Sequence, residues 1–229
     1  MSGIIGDRMA FRPLHFIWLL DCSGSMSMNG KISQLNFAIR EAIPEMQQAA
    51  QDNPAAALVV RAITFASGAD WHIRKPTPIE EFTWEDVHTY GITDMGAAFR
   101  LAAKELETSV MPERALRPVL ALVSDGQPTD DWRSGMRAID ATPWGKKAVR
   151  VAIAIGDDAD RNMLKEFLAN PELEPILAKN PRQLVAAIRW ASTVAIKNAS
   201  TPKTEGDQQP PAPPPMDDFD DVDGKGVVW

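Results

Sequence analysis

The sequence predicts an α/β protein with a doubly wound, mostly parallel sheet, one antiparallel edge strand, and helices on both faces. Three observations indicate this class: short apolar runs recur along the chain, amphipathic helical patterns separate them, and the central runs are nearly continuous in Val, Ile, Leu and Ala. Strands that are apolar at every position are typical of parallel sheets covered on both faces. Alternation of such strands with helices favours crossover connections between parallel strands.

Four apolar runs are predicted to form the parallel strands. They are residues 15–20, 57–65, 119–124 and 149–155. A further run, 71–75, is predicted to be the antiparallel edge strand because the turn-forming sequence SGAD precedes it. The polar and aromatic stretch 76–90 is expected to be a long surface loop that contains a short helix.

Five stretches place apolar residues at helical spacing. They are residues 31–51, 93–107, 132–141, 160–169 and 181–197. Pro44 is expected to kink or break the first helix, because proline cannot donate the backbone hydrogen bond. Pro181 suits the first turn of the last helix, where that donor is not needed.

The composition changes abruptly after Asn198, which indicates one domain followed by a tail. We predict an N-terminal arm (1–12), the domain (13–198), a proline-rich linker (199–215) and an acidic tail with aromatic residues (216–229). A proline-rich segment cannot pack a core and is expected to be extended or disordered. The tail is either solvated or a docking motif, and its binding back to the domain of the same chain is a third alternative.

Charge and cysteine content exclude several classes of function. The net charge is −7 at pH 7, and residues 200–229 carry −5 of it through seven acidic residues and two lysines. The remainder is nearly neutral, so we expect neither nucleic-acid binding nor membrane binding. The single cysteine, Cys22, rules out an internal disulfide and a CxxC metal site. Without signal-peptide features or a membrane-length apolar run, the chain is expected to be cytoplasmic.

Oxygen-bearing side chains follow two of the predicted strands and open one helix. They are Asp21, Ser23 and Ser25 after the first strand, Asp125 after the third parallel strand, and Thr93 at the start of the second helix. These positions share one edge of a parallel sheet, so we expect the side chains to converge. Two carboxylates and three hydroxyls are hard donors suited to Mg²⁺, Mn²⁺ or Ca²⁺ and poor for zinc or copper. Each segment alone would be interpreted as a helix cap or a turn, but together they favour a metal site.

The three segments resemble the metal-ion-dependent adhesion site of von Willebrand factor type A (vWA) domains. The resemblance rests on D-x-S-x-S after the first strand, the Thr of "TDMGAA" and the Asp of "SDGQPTD", and it covers residues 13–198. It implies a single Rossmann-like vWA domain in which Ser23, Ser25 and Thr93 touch the metal while the two aspartates act largely through water. In this family, the metal-bound face captures an acidic side chain of a partner protein.

The compact domain without a signal peptide is most similar to bacterial cytoplasmic TerY-like vWA proteins of tellurium-resistance and stress operons. This resemblance implies a scaffold or adaptor that binds Mg²⁺, with Mn²⁺ or Ca²⁺ as substitutes, and works with a protein kinase and a PP2C-type phosphatase. Other cytoplasmic members of the family work with AAA+ ATPases. A substrate-recruiting or regulatory subunit of such an ATPase is therefore the alternative.

The sequence does not favour an enzyme. An Asp-rich loop after the first strand also occurs in metal-dependent phosphohydrolases, which makes that class a further alternative. A phosphoryl-accepting pair would read D-x-D, however, and Ser23 stands at its second position. The chain also has no Gly-x-x-x-x-Gly-Lys phosphate-binding loop.

Three aromatic residues are candidates for contact with a partner. Trp132 follows the predicted metal segment "SDGQPTDD", and tryptophan is enriched in binding hot spots. Packing beneath its own helix is the alternative for this residue. Phe219 and Trp229 are the candidate anchors if the acidic tail is a docking motif.

Overall fold

The computed structural model describes residues 11–53 and 56–200. Its strands are β1 (Arg12–Asp21), β2 (Ala56–Ala66), β3 (Gly68–Pro78), β4 (Val119–Ser124), β5 (Val149–Ile155) and β6 (Ile176–Ala178). They form one six-stranded sheet in the order β3-β2-β1-β4-β5-β6. Every neighbouring pair is parallel except β2 and β3, which are antiparallel. The predicted mostly parallel sheet with an antiparallel edge strand is confirmed.

Helices cover both faces of this sheet, as predicted. They are α1 (Lys31–Gln51), α2 (Met95–Glu105), α3 (Trp132–Ala141), α4 (Arg161–Leu168) and α5 (Pro181–Ser200). The helices α1 and α5 pack against each other on one face. The helices α2 and α3 pack together on the other face, where residues of α4 complete the same apolar cluster.

The central strand β1 supplies side chains to both halves of the core. Phe16 and Trp18 lie in the cluster that includes α1 and α5, whereas Ile17 and Leu19 lie in the cluster that includes α2, α3 and α4. All four side chains are fully buried. This explains the unbroken apolar run in the sequence, because alternate residues of a strand point to opposite faces.

The structure corrects two local expectations. The helix α1 continues through Pro44 without a break. Proline cannot donate to the carbonyl of Arg40, one turn earlier. Both Pro44 and Arg40 are exposed, so this carbonyl lies on the side of the helix that faces water. The short helix expected within 76–90 is wrong, since β3 runs to Pro78 and the residues after it form turns and irregular backbone.

One side chain of α1, that of Asn36, makes three hydrogen bonds to the irregular segment after β3. The Asn36 amide donates to the Val87 carbonyl at 2.9 Å, and its oxygen accepts from Trp84 Nε1 at 3.0 Å and from the Val87 N–H at 2.9 Å. Two of these bonds satisfy the N–H and the carbonyl of Val87, which lie outside any helix or strand. The segment therefore buries aromatic and apolar side chains without regular secondary structure.

The first strand and the last helix mark the two ends of the described fold. The strand β1 begins at Arg12, and α5 extends through Ala199 to Ser200. The arm before residue 11, the linker from residue 201 onward and the tail 216–229 lie outside the described residues. Within the described ranges, no helix is both long enough and apolar enough to cross a membrane.

A buried histidine on β1 makes the stability of the fold depend on pH. Burial, and secondarily the charge of Arg61, lowers the pKa of His15 from 6.5 to about 4, while Glu105 opposes this shift. As the pH falls, the His15 imidazole is therefore protonated at a higher pH in the unfolded chain than in the folded protein. The contribution of His15 to stability is complete above pH 6.5, and we expect about 3 kcal/mol to be lost by pH 4.

Denaturant unfolding at pH 7.5 and pH 4 measures this loss. The variant His15→Leu removes the titrating group and should show a smaller loss between the two pH values than the natural chain. An equal loss in both proteins would show that His15 does not titrate as described.

Candidate metal centre

Three chain segments meet at the carboxyl edge of the parallel strands. Asp21 is the last residue of β1, and Asp125 directly follows the neighbouring strand β4. The segment before α2 joins them because the Asp94 N–H donates to the Ala66 carbonyl at the end of β2, at 2.8 Å. The five predicted ligands are thus brought to one edge although about 100 residues separate the first from the last.

Two serine hydroxyls connect the loop after β1 to Asp125. Ser23 Oγ lies 3.0 Å from Ser25 Oγ, and Ser25 Oγ donates to Asp125 Oδ1 at 2.7 Å. Ser23 and Asp125 are almost completely buried, whereas Ser25 is half-buried. Ser25 therefore lies on the side of the cluster that is open to solvent.

The carboxylate of Asp21 is held on both oxygens. Its Oδ1 accepts from the Ser23 N–H at 2.8 Å, and its Oδ2 accepts from Ser124 Oγ at 2.5 Å. Asp21 is fully buried, and this burial raises its pKa from 3.8 to about 6, although the hydrogen bonds from Ser124 and Ser23 oppose the shift. The carboxylate is thus fixed in place but would be stabilised by a nearby positive charge.

Thr93 is oriented by a pair of hydrogen bonds with Thr129. The Thr93 N–H donates to Thr129 Oγ1 at 3.1 Å, and the Thr129 N–H donates to the Thr93 carbonyl at 2.8 Å. The Thr93 hydroxyl and the Asp21 carboxylate lie on either side of Gly126. A Cβ on Gly126 would be 3.3 Å from Thr93 Oγ1 and 3.4 Å from Asp21 Oδ2. The absent side chain of Gly126 leaves room between these two oxygen donors.

Two residues of the site were not anticipated from the sequence. Ser124 was assigned only to the strand, yet its hydroxyl binds Asp21. Lys31 was assigned only to the start of α1, yet its Nζ lies 2.7 Å from Asp125 Oδ2 with both side chains buried. A cation at the first position of a helix opposes the helix dipole, but this weak signal does not indicate the contact with Asp125.

The donor set fits a hard divalent cation. Three hydroxyls and two carboxylates supply only oxygen, which Mg²⁺, Mn²⁺ and Ca²⁺ prefer. No cluster of three or more His, Cys, Asp and Glu residues suited to a metal occurs in the ranges 11–53 and 56–200. Binding at this edge would therefore depend on the hydroxyl groups of Ser23, Ser25 and Thr93 as well as on the two carboxylates.

Apolar side chains lie beside the metal segments and are exposed. They are Met28 (52%), Tyr90 (44%) and Ile92 (53%). The Tyr90 N–H donates to the Cys22 carbonyl at 2.8 Å, and Ile92 directly precedes Thr93. We call these three residues the apolar rim. Nothing in their sequence pattern separates them from ordinary loop residues.

The predicted partner contacts are placed only in part. Trp132 begins α3, is half-buried, and packs against the cluster that includes α2 and α4. The Arg133 guanidinium lies 4.2 Å from the centre of its ring. Part of the indole is thus used for packing, and a role in partner contact stays a prediction. Phe219 and Trp229 lie outside the described residues.

Comparisons with known proteins identify the fold. No family model matches the chain, and no curated protein matches it. Among solved structures, a von Willebrand factor type A protein from Catenulispora acidiphila superposes with a TM-score of 0.62 at 16% identity, covering 81% of this chain and 43% of the other. Proximal thread matrix protein 1 from the mussel byssus, with zinc in its MIDAS (metal-ion-dependent adhesion site) motif, superposes with a TM-score of 0.57 at 16% identity. The match covers 82% of this chain and 46% of the other.

A manganese-loaded TRAP protein from Plasmodium vivax gives a TM-score of 0.52 at 18% identity, covering 73% of this chain and 68% of the other. The chain spans less than half the length of the Catenulispora and mussel proteins. At these identities the likeness concerns the fold; the mussel protein has zinc in its MIDAS motif, and the Plasmodium protein is manganese-loaded. The described residues therefore have the fold of a von Willebrand factor type A domain.

Proposed function

We propose that this protein is a non-enzymatic, metal-dependent protein-binding module that captures an acidic side chain of a partner. The cation would be held by Asp21, Ser23, Ser25, Thr93 and Asp125. The observation that carries this proposal is the hydrogen-bonded chain from Ser23 through Ser25 to Asp125, which joins loops that follow different strands. A turn or a helix cap would not require this long-range connection.

The bonding of the carboxylates supports direct binding by the hydroxyls. Asp21 accepts from Ser23 and Ser124, and Asp125 accepts from Ser25 and Lys31. Because donors occupy both oxygens of each carboxylate, the aspartates are suited to orienting the neutral hydroxyls. A bound Mg²⁺ would supply Lewis acidity and a coordination position for a carboxylate from outside.

The surroundings of the site favour a protein as the partner. The apolar rim exposes three large side chains beside the metal segments. An acidic residue flanked by apolar residues would bury this rim while its carboxylate reaches the cation. A small acidic molecule would leave the rim in water.

The residues described here give no support to a nucleophilic enzyme based on cysteine. Burial, and secondarily the charge of Asp21, raises the pKa of the Cys22 thiol to about 12, so the thiol stays protonated at neutral pH.

We propose a bacterial cytoplasmic protein of a stress-response or phospho-signalling system, with kinase and PP2C-type phosphatase partners. The sequence resemblance to TerY-like proteins supports this setting.

Capture of partners with and without a divalent cation tests the proposed function. The full chain is immobilised and exposed to cell extract in Mg²⁺ or in EDTA, and the bound proteins are identified by mass spectrometry. We expect specific partners in Mg²⁺ that are lost in EDTA and with the variant Ser25→Ala. The variant Asp52→Asn, at the opposite end of α1, should capture them normally.

Capture that persists in EDTA and with Ser25→Ala would exclude the proposed mechanism. The identity of the captured proteins tests the setting separately. Recovery of an AAA+ ATPase in place of a kinase or phosphatase would support the alternative, in which this chain recruits substrates for such a machine.

A further inference from the structure

A buried lysine contacts one of the proposed metal ligands. Lys31 Nζ lies 2.7 Å from Asp125 Oδ2, and the side chains are 3% and 0% exposed. A second carboxylate, Asp158, lies 3.8 Å from the same nitrogen but is 63% exposed. Because exposed ion pairs contribute little, Asp125 is the main partner of this ammonium group.

This position is unfavourable for a cation in two respects. Burial removes the ammonium group from water, which is costly for any charge without a close partner. Lys31 is also the first residue of α1, where the helix dipole presents its positive end. A neutral residue could begin the helix without either cost, so the charge itself calls for an explanation.

The backbone before α1 places this lysine inside the site. The segment Gly24–Gly30 forms a 3-10 helix that is interrupted near its end, where Asn29 has φ 52° and Gly30 has φ 71°. Two consecutive residues in the left-handed region redirect the chain immediately before Lys31. The side chain then reaches Asp125 across the loop that carries Ser23 and Ser25.

We propose that Lys31 is a positioning residue whose fixed charge lowers the affinity of the centre for its cation and leaves the loaded centre positive. This inference rests on the proposed metal site. Asp21 and Asp125 together carry −2 when ionised, and Lys31 reduces this to −1. A divalent cation brings the centre to +1, and one partner carboxylate neutralises it. Without Lys31 the loaded centre would already be neutral and would attract a carboxylate less.

Isothermal titration calorimetry with Mn²⁺ as the only ligand tests whether Lys31 lowers the affinity of the centre for its cation. The variant Lys31→Gln removes the charge and keeps a side-chain N–H, on a side chain that is one bond shorter. We expect it to bind Mn²⁺ at least about tenfold more tightly than the natural chain. Lys31→Arg keeps the charge and should bind within about threefold of the natural chain. Lys104→Gln, at an exposed position on α2, makes the same change in net charge and should have no effect.

Acetate serves as a minimal carboxylate to test whether Lys31 leaves the loaded centre positive. It is titrated against each Mn²⁺-loaded protein while the relaxation rate of water protons reports displacement of water from the metal. We expect Lys31→Gln to bind acetate at least about threefold more weakly than the natural chain. Equal or tighter acetate binding by this variant would overturn the claim that Lys31 leaves the loaded centre positive.

The alternative is that Lys31 only ties the start of α1 to the sheet. In that case Lys31→Gln would loosen Asp125 and bind Mn²⁺ equally or more weakly, and that result would overturn the proposal. If the variant is unstable without metal, its melting temperature should rise more with Mn²⁺ than that of the natural chain. Failure to fold even in saturating Mn²⁺ would also overturn it.

The same titrations separate this inference from the proposed function. A natural chain that binds no Mn²⁺ would overturn both. A natural chain that binds Mn²⁺, together with a Lys31→Gln variant of unchanged affinity, would overturn the role of Lys31 alone.

Discussion

Replacing Asp21 with asparagine is expected to lower the affinity for Mn²⁺ about 10- to 100-fold while the protein stays folded. The substitution removes a carboxylate charge from the site. Asparagine has nearly the same shape and can still accept from the Ser23 N–H, which now donates to Asp21 at 2.8 Å. Isothermal titration calorimetry with Mn²⁺ measures the loss.

The same variant should unfold at an equal or higher temperature in the absence of metal. Burial raises the pKa of Asp21 from 3.8 to about 6, so the folded protein disfavours the ionised form. Stability is therefore lost as the pH rises from about 4 to 6, and a neutral side chain should recover up to about 3 kcal/mol at pH 7.5. Asp52→Asn, an exposed change of the same kind, should alter neither property. Natural Mn²⁺ affinity in Asp21→Asn would show that this carboxylate is not part of a metal site.

Replacing Gly135 with alanine is expected to lower the free energy of unfolding by about 3 kcal/mol. The helices α2 and α3 touch at this residue: a Cβ on Gly135 would lie 2.5 Å from the Gly96 carbonyl oxygen and 2.8 Å from its Cα. Since both obstacles are backbone atoms, the helices must separate. Thr93 lies three residues before Gly96, so we also expect weaker binding of Mn²⁺.

The sign of the change in the free energy of unfolding distinguishes a tight helix contact at Gly135 from an open position. Alanine in place of glycine at an open helix position would stabilise the protein by about 1 kcal/mol. Arg137→Ala, at an exposed position on the same helix, is the control and should be nearly neutral. Chemical denaturation of the three proteins measures the difference. A Gly135→Ala variant that is as stable as the natural chain would show that α2 and α3 do not pack as closely as described.

Patterns within single elements made the sheet and its covering helices predictable from the sequence. The apolar run that became β1 is buried on both faces, and this burial is what an unbroken apolar strand requires. The strand β6 was missed because three residues are too few to show a period. The segment after β3 was misjudged because its conformation depends on hydrogen bonds to Asn36, which lies on α1.

The convergence of the candidate ligands was predictable for a different reason. Asp21, Ser23, Ser25, Thr93 and Asp125 all belong to segments that must lie at the carboxyl edge of a parallel sheet, and the structure brings these segments together. Lys31 and Ser124 were missed because their roles arise from the positions of other side chains. A lysine at the start of a helix does not by itself indicate a site, and only the distance from Lys31 to Asp125 connects it to the candidate ligands.

Crystals of the full chain grown with Mn²⁺ test the central claim most directly. An anomalous difference map should contain one strong peak about 2–2.5 Å from the hydroxyl oxygens of Ser23, Ser25 and Thr93. We expect this peak at the carboxyl edge of β1 and β4, next to Asp21 and Asp125. The claim would be contradicted by a map with no peak at this position, or with the Mn²⁺ held elsewhere on the protein.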